Sequence, residues 1–226
     1  MNISLVDTFK HATRLGRGKT MATPQPTLDE QDAEDSWDLS GAIARNGMIQ
    51  TVILITIVSV IGWAVPARPP IFALSPPLFE PWWALLTSAY AHISPAHYAG
   101  NVTMIALVGG LISLSSSAFR FHLFFAFTGI TAGVIQVSIA SAFGEPLAVI
   151  GSSGAAFALL GYLIAGNAIS DSVLGFLNRR SVAAVTILIG AYLTVTYSAP
   201  GSALMAHFSG ALLGMVAGRY HLLATK

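Results

Sequence analysis

Residues 151–170 read GSSGAAFALLGYLIAGNAIS, a run without a single charged side chain. From Ser153 onward the run is long enough to approach the thickness of a bilayer, which takes about 20 apolar residues. In lipid such a segment must be helical, because every backbone N–H and C=O group needs a partner within the segment. The stretch therefore predicts a membrane helix that begins at Ser153.

Five further apolar runs of similar length accompany this one. The six predicted membrane helices cover, within a few residues, 48–65, 96–115, 119–140, 153–170, 182–197 and 203–222. Hydrophobic residues make up 54% of the 226-residue chain and charged residues only 9%, whereas soluble domains carry about 25% charged residues. We therefore predict an all-α polytopic membrane protein, with one membrane domain over residues 46–226.

Composition also excludes several classes of function. The formal net charge is +1 and no basic stripe alternates with aromatic residues, so we expect no nucleic-acid partner. The chain has no cysteine, which rules out disulfides and thiolate ligands. Because no carboxylate–histidine cluster is visible either, we predict no metal and no cofactor. The expected partners are the lipid bilayer and other membrane proteins.

The first 45 residues differ from the rest of the chain. A basic stretch is followed by an acidic one, a pattern typical of solvated and poorly ordered chain. This segment has no apolar run of the kind found in signal peptides, so we expect an uncleaved tail. A mitochondrial targeting role for its basic part is the alternative.

The charges between the apolar runs predict the orientation in the membrane. One side carries Arg45, Arg120, Arg179, Arg180, Arg219 and Lys226, while the other carries Arg68, Glu80 and Glu145. Lys and Arg are enriched on the cytoplasmic side, so both termini are predicted to be cytoplasmic. The second, fourth and sixth helices then begin on the outer side. We favour a prokaryotic plasma membrane as the location.

The link between the first two helices, roughly residues 66–95, is too long for a simple connector. It contains several prolines and the pair Trp82–Trp83. Tryptophan favours the membrane–water interface. We expect an ordered link that lies at the outer surface.

Two polar side chains at the starts of predicted helices suggest chemistry. Ser153 opens the fourth helix and His207 opens the sixth, and polar groups within spanning segments are candidate functional groups by default. A serine and an imidazole are also what a nucleophile–base pair requires. Ser152 is an alternative nucleophile that the residues alone do not exclude.

Residues near this pair predict how it is supported. His97 and Asn101 share one helix face at i, i+4, so they can donate hydrogen bonds to an oxyanion; the alternative is a buried pair that ties two helices together. Gly161, Gly210 and Gly214 lie on faces where glycine allows close helix packing. Such packing is expected to bring Ser153 and His207 together. No predicted span contains a carboxylate, so a Ser–His dyad is the simplest arrangement.

Three motifs together resemble those of the rhomboid intramembrane serine proteases. They are Gly151-Ser152-Ser153-Gly154, the stretch from His92 through His97 to Asn101, and Ala206-His207-x2-Gly210-x3-Gly214. The resemblance covers about residues 48–222 and implies a six-transmembrane-helix rhomboid-like bundle. It identifies Ser153 as the nucleophile, His207 as the base, and His97, Asn101 and the Ser153 N–H as oxyanion donors, with Gly151 and Phe157 in the same site. The implied activity is cleavage of transmembrane segments near the outer leaflet.

The sequence departs from the common rhomboid pattern at two positions. Ala84 follows Trp83 where an arginine is usual, and Phe157 replaces a common tyrosine. The link is therefore expected to be anchored differently, and the tyrosine hydroxyl is absent at position 157, while no catalytic group is lost. The alternative functions are a non-cleaving scaffold that binds transmembrane helices and, with less support, a small transporter.

Overall fold

A computed structural model describes residues 39–65, 71–145 and 147–225 of the protein. Over these residues the regular secondary structure is helical, and the only β-type pairings are two isolated bridges. The all-α polytopic fold predicted from hydropathy is confirmed. Residues 1–38 of the predicted tail, and Arg68 within the link, lie outside the described residues.

Most described helices follow one another with short connections; the longer ones are the link after the second helix and the segment 143–152 before α7. They are α1 (Leu39–Arg45), α2 (Gly47–Ala64), α3 (Ala84–Thr87), α4 (Pro95–Met104), a π-helical turn (Ile105–Gly109), α5 (Gly110–Ser113), α6 (Ala118–Ala142), α7 (Ser153–Ala165), α8 (Ala168–Gly175), α9 (Arg179–Tyr197) and α10 (Leu204–Arg219). The described end of the predicted tail is thus the short helix α1.

Four described segments are long and apolar enough to span a membrane by themselves. They are α2, α6, α9 and the continuous segment Pro95–Ser113 formed by α4, the π-helical turn and α5. A fifth arises if α7 and α8 count as one span bent by 68°. Helix α10 has 16 residues, about 24 Å of helix, which is shorter than a typical hydrocarbon core. The count of six spans therefore stays a prediction.

The predicted helix over 153–170 is interrupted, and Asn167 is the reason. Its side-chain oxygen accepts hydrogen bonds from the N–H groups of Ile169 and Ser170, each at 3.1 Å, which caps a new helix. Its amide nitrogen donates to the carbonyls of Leu163 and Ile164, which terminates the preceding one. Asparagine is a strong N-cap residue. An apolar run alone does not reveal this change of direction.

Helix α7 lies at the centre of the bundle. Ala155, Ala156, Ala158 and Leu159 on α7 have no exposed surface. Within a membrane there is little hydrophobic driving force between helices, so close packing of small residues supplies the attraction. A buried helix of small residues lets its neighbours approach closely, and this brings the start of α7 against the start of α10.

The described part of the long link is ordered and folds back over the bundle. Leu74 exchanges two backbone hydrogen bonds of 2.8 Å with Val149, in the segment that leads into α7. Trp82 is 73% exposed and Phe79 71% exposed. The link therefore holds the chain just before Ser153 in place.

Candidate active site

The N-terminal parts of three helices border one cavity of about 660 Å³. His97 of α4, Ser153 of α7 and His207 of α10 all line it. The segment 147–150 and the loop between α9 and α10 form other parts of its wall. Three of the four polar residues singled out from the sequence thus meet at a single site.

The two adjacent serines have different environments. Ser153 is the first residue of α7 and is only partly buried, with its side chain at the cavity. Ser152 has no exposed surface, and its hydroxyl lies 3.1 Å from Nε2 of His92. Of this pair, Ser153 is the one that a substrate in the cavity can reach.

The loop before α7 requires a glycine at position 151. Gly151 has a φ of +137°, a conformation that other residues rarely adopt. A Cβ atom at this position would also lie only 2.6 Å from Cε1 of His97. The Gly151 N–H donates a 2.8 Å hydrogen bond to the carbonyl of Ser88. The glycine therefore lets the loop pass directly against the His97 ring.

The His207 ring is buried and held on two sides. It is 4% exposed and stacks on Phe157, with ring centroids 4.2 Å apart and an interplanar angle of 9°. Its Nδ1 atom lies 2.6 Å from the Ser198 hydroxyl, at the end of α9. Among the described residues no hydrogen bond joins Ser153 to His207, and no carboxylate bonds to the imidazole.

Glycines bring α7 and α10 into backbone contact. A Cβ atom at any of these positions would run into a carbonyl oxygen of the facing helix: Gly161 into Ala211, Gly210 into Gly154, and Gly214 into Ala158. Such contact positions the two helices with little freedom to shift. The helices that carry Ser153 and His207 are therefore direct neighbours.

His97 and Asn101 occupy the same helix but differ in accessibility. His97 lines the cavity, whereas Asn101 is 8% exposed and lies deeper. The Asn101 side-chain nitrogen is buried without a hydrogen-bond partner among the described residues. Unpaired buried donors are costly and rare. Directly after this turn the helix widens into the π-helical turn, a feature frequent at functional sites.

Gln136 is a site residue that the sequence reasoning missed. It projects from α6 into the cavity wall, and its side-chain oxygen accepts hydrogen bonds from Met205 N at 2.9 Å and Ala206 N at 3.2 Å. These bonds satisfy two free N–H groups at the start of α10, just before His207. A lone amide within an apolar span is a signal that could have identified it.

His92 connects the link to α2 and to the segment that leads into α7. Its Nδ1 atom lies 3.0 Å from the Ser59 hydroxyl on α2, its Nε2 lies 3.1 Å from the Ser152 hydroxyl, and its carbonyl accepts from the Trp63 indole at 2.7 Å. Burial, together with the nearby His97, lowers the pKa of His92 to about 4. His92 is therefore neutral at pH 7 and supports the site as a structural residue.

The described residues contain no group of three or more His, Cys, Asp or Glu side chains arranged to hold a metal ion. The chemistry that this site offers is that of a hydroxyl, two imidazoles and amide donors. Such a set suits nucleophilic attack with proton transfer.

Comparison with known protein families agrees with the fold and the motifs. The sequence profile of the Rhomboid domain matches residues 80–223, which is more than half of the chain. No curated protein sequence matches the chain. The matched region contains the second half of the link, the residues that line the cavity and both helices of the Ser153–His207 pair. The chain therefore belongs to the rhomboid family and is a multi-pass integral membrane protein.

Proposed function

We propose that this protein is an intramembrane serine endopeptidase in which Ser153 is the nucleophile and His207 the general base. One observation carries the proposal: both side chains line the same cavity, on helices whose backbones are in contact. Membership of the rhomboid family adds support, since that family is typically proteolytic.

The reaction needs a single proton carrier. Nε2 of His207 takes the Ser153 hydroxyl proton as Oγ bonds to the scissile carbonyl carbon, and the carbonyl electron pair moves onto its oxygen. The imidazolium then gives that proton to the leaving nitrogen as the C–N bond breaks, which leaves an acyl-enzyme. A water molecule repeats the sequence to release the acid. Catalytic hydrogen bonds are often long before substrate binds, so the absent Ser153–His207 bond is compatible with this chemistry.

The developing oxyanion has donors on two helices. The Ser153 N–H lies at the start of α7, where helix-terminal N–H groups and the helix dipole favour negative charge. The His97 ring and the unpartnered Asn101 amide supply the other donors. An orphan donor one helical turn beyond His97 supports this role, because an arriving acceptor would satisfy it. We expect Asn101→Ala to lower kcat by about 10²- to 10³-fold.

The proposed substrates are transmembrane segments of other proteins. A peptide bond within a helix is shielded by its own hydrogen bonds, so the segment must unwind before it enters the cavity. The extended segment 147–150 lines one wall of that cavity. Small residues before the scissile bond and helices that unwind easily are the expected preference.

We place the cavity near the outer leaflet of a prokaryotic plasma membrane, with both termini in the cytoplasm. The distribution of Arg residues supports this orientation. Cysteine-accessibility labelling at Ser172 of α8 and at Gly144 of the opposite loop tests it. Modification of Gly144→Cys, but not Ser172→Cys, by an impermeant reagent outside intact cells is expected; the reverse pattern would refute the orientation.

A fluorophosphonate probe in membranes tests the nucleophile, alongside cleavage of a reporter transmembrane segment. Wild-type protein is expected to react and cleave, and Ser153→Ala to do neither while remaining folded. Ser172→Ala, an exposed serine on α8, is the matched control and should behave as wild type. Retained cleavage in Ser153→Ala would overturn the assignment.

A non-cleaving scaffold is the competing function, favoured by the missing Ser153–His207 hydrogen bond. In that case folded wild-type protein would capture transmembrane segments while neither cutting them nor reacting with the probe.

A further inference from the structure

The loop that follows α9 contributes a group to the His207 imidazole that no motif identifies. The Ser198 hydroxyl oxygen and Nδ1 of His207 are 2.6 Å apart, a short distance for a hydrogen bond between these atoms. We infer that Ser198 is a positioning residue that holds His207 in the ring orientation and tautomer required of the base. The inference rests on the proposed protease function.

The local backbone explains why this hydroxyl reaches the ring. Ser198 caps the C-terminus of α9, and its N–H bonds to the Thr194 carbonyl at 3.2 Å. The loop then turns back through Gly201, whose φ is +79°, and α10 begins at Leu204. His207 N donates to the Ala203 carbonyl at 3.1 Å. The short loop therefore brings the C-cap of α9, Ser198, close to the first turn of α10, which carries His207.

Stacking and hydrogen bonding constrain different motions of the ring. Phe157 fixes the plane of the imidazole through face-to-face contact, yet a stacked ring can still rotate within that plane. The hydrogen bond between Nδ1 and the Ser198 hydroxyl oxygen removes this rotation. With Nδ1 pointing to Ser198, the opposite nitrogen, Nε2, is directed away from the loop and is left for the nucleophile.

The direction of this hydrogen bond determines whether His207 can act as a base. When Nδ1 carries the proton and donates to Ser198 Oγ, Nε2 has a free lone pair that can accept the Ser153 proton. After that transfer both ring nitrogens are protonated, and Nδ1–H continues to donate to the same oxygen. In this arrangement the hydroxyl proton of Ser198 is not used in the bond to His207, and Ser198 also lines a second cavity of about 300 Å³.

No stronger acceptor competes for this position among the described residues. Among the side chains that line the cavity, the titratable ones are His97 and His207 itself. The other helices packed on α10 present only uncharged groups there, Gln136 of α6 and Ser153 of α7. In serine proteases with a triad a carboxylate orients the imidazole. Here a neutral hydroxyl occupies the equivalent position on Nδ1.

The test compares Ser198→Ala, Ser198→Thr and Ser198→Asp in the full-length protein, using reporter cleavage from pH 5 to 9. Loss of one neutral hydrogen bond, about 1 kcal/mol, should lower kcat about 5- to 10-fold in Ser198→Ala without a matching change in KM. Ser198→Thr keeps a hydroxyl and should restore activity to within about 2-fold.

The pH profile separates positioning from a merely structural role. Ser198→Ala leaves the imidazolium without its acceptor, so the acid limb of the kcat profile should move to lower pH. Ser198→Asp supplies a charged acceptor, and the limb should move to higher pH. A change in packing alone would not move the limb in opposite directions. Thr196→Ala changes an exposed α9 residue whose side chain has no hydrogen-bond partner in the described part of the chain, and this matched control should behave as wild type.

The experiment distinguishes a failure of the inference about Ser198 from a failure of the proposed protease function. If wild type cleaves but Ser198→Ala has the same kcat and the same acid limb, the inference about Ser198 is wrong and the proposed protease stands. If wild type neither cleaves nor reacts with a fluorophosphonate, the protease proposal itself fails, and the inference about Ser198 fails with it.

Discussion

The His207 imidazole lies flat on the Phe157 ring, at a centroid separation of 4.2 Å. Phe157 comes from α7, one turn after Ser153, so the helix that carries the proposed nucleophile also supports the proposed base. Both rings are nearly inaccessible, at 2% and 4% exposure. The stacked pair thus couples the positions of the two reacting groups.

Substitution of Phe157 should reduce turnover through the orientation of His207. Aromatic pairs contribute about 0.5–1.5 kcal/mol beyond simple burial, so Phe157→Leu should lower kcat about 2- to 10-fold while KM changes little. Phe157→Tyr keeps the ring and is the control, with activity within about 2-fold of wild type. Equal activity of the Leu and wild-type proteins would show that stacking does not position the base.

Gly151→Ala should inactivate the site by displacing His97. The new Cβ would lie 2.6 Å from the His97 ring, and we expect cleavage to fall by about 10²-fold, the cost of one lost oxyanion donor. Gly144→Ala is a matched control, because Gly144 also has a positive φ, +76°, but its Cβ would meet nothing within 4 Å.

Both variants place an L residue at a positive φ and should lose thermal stability in detergent, Gly151→Ala the more because its φ of +137° lies far from the left-handed helical region. Only Gly151→Ala should lose activity. Comparable activity in the two variants would show that the reaction does not depend on the position of His97.

Gln136→Leu should destabilise the start of α10. The variant leaves the N–H groups of Met205 and Ala206 without their acceptor, at a cost of about 1–3 kcal/mol for an unsatisfied buried group. Thermal unfolding in detergent measures the loss. Gln136→Glu retains an acceptor near a helix N-terminus, where negative charge is favourable, and should be the more stable of the two. The opposite ranking would contradict a capping role.

The lowered pKa of His92 predicts that the folded protein loses stability in mild acid. Its pKa is lowered to about 4 in the folded protein, while an unfolded histidine titrates near 6.5. Between these values the unfolded chain binds a proton that the folded protein does not, so the free energy of unfolding falls as pH falls from about 6.5 to 4. The total effect is on the order of 3 kcal/mol.

Thermal unfolding of wild type and His92→Gln in detergent, measured from pH 7.5 to 4.5, tests this effect. His92→Gln should be less stable at pH 7, because the bonds to Ser59 and Ser152 are altered, but its stability should depend less on pH. His97 and Tyr98, whose rings contact His92, are the same residues in wild type and in His92→Gln. Equal pH dependence in the two proteins would refute the assignment.

Much of the architecture follows from the sequence because membrane helices carry strong local signals. Long uncharged runs leave the helix as the only conformation that satisfies the backbone in lipid. Each predicted run corresponds to helix in the structure, although Asn167 divides the fourth. That division depends on how one side chain bonds to nearby backbone groups, which hydropathy does not record.

For the candidate site, the residues with the required chemistry can be recognised from the chain alone. Ser153, His207, His97 and Asn101 stand out because polar groups are rare within apolar helices. The roles proposed for Ser198 and Gln136 instead depend on contacts that form when the helices pack. Ser198 is one of several polar residues in a connecting loop, and its significance arises from the 2.6 Å approach to His207.

Likewise, the choice between Ser152 and Ser153 at the cavity depends on how α7 is rotated against its neighbours. Residue type and local periodicity are properties of short segments and can be read directly from the chain. Gln136 and Met205 are 69 positions apart, and their hydrogen bond exists only once the helices have packed. Packing makes residues that are distant along the chain into neighbours in space.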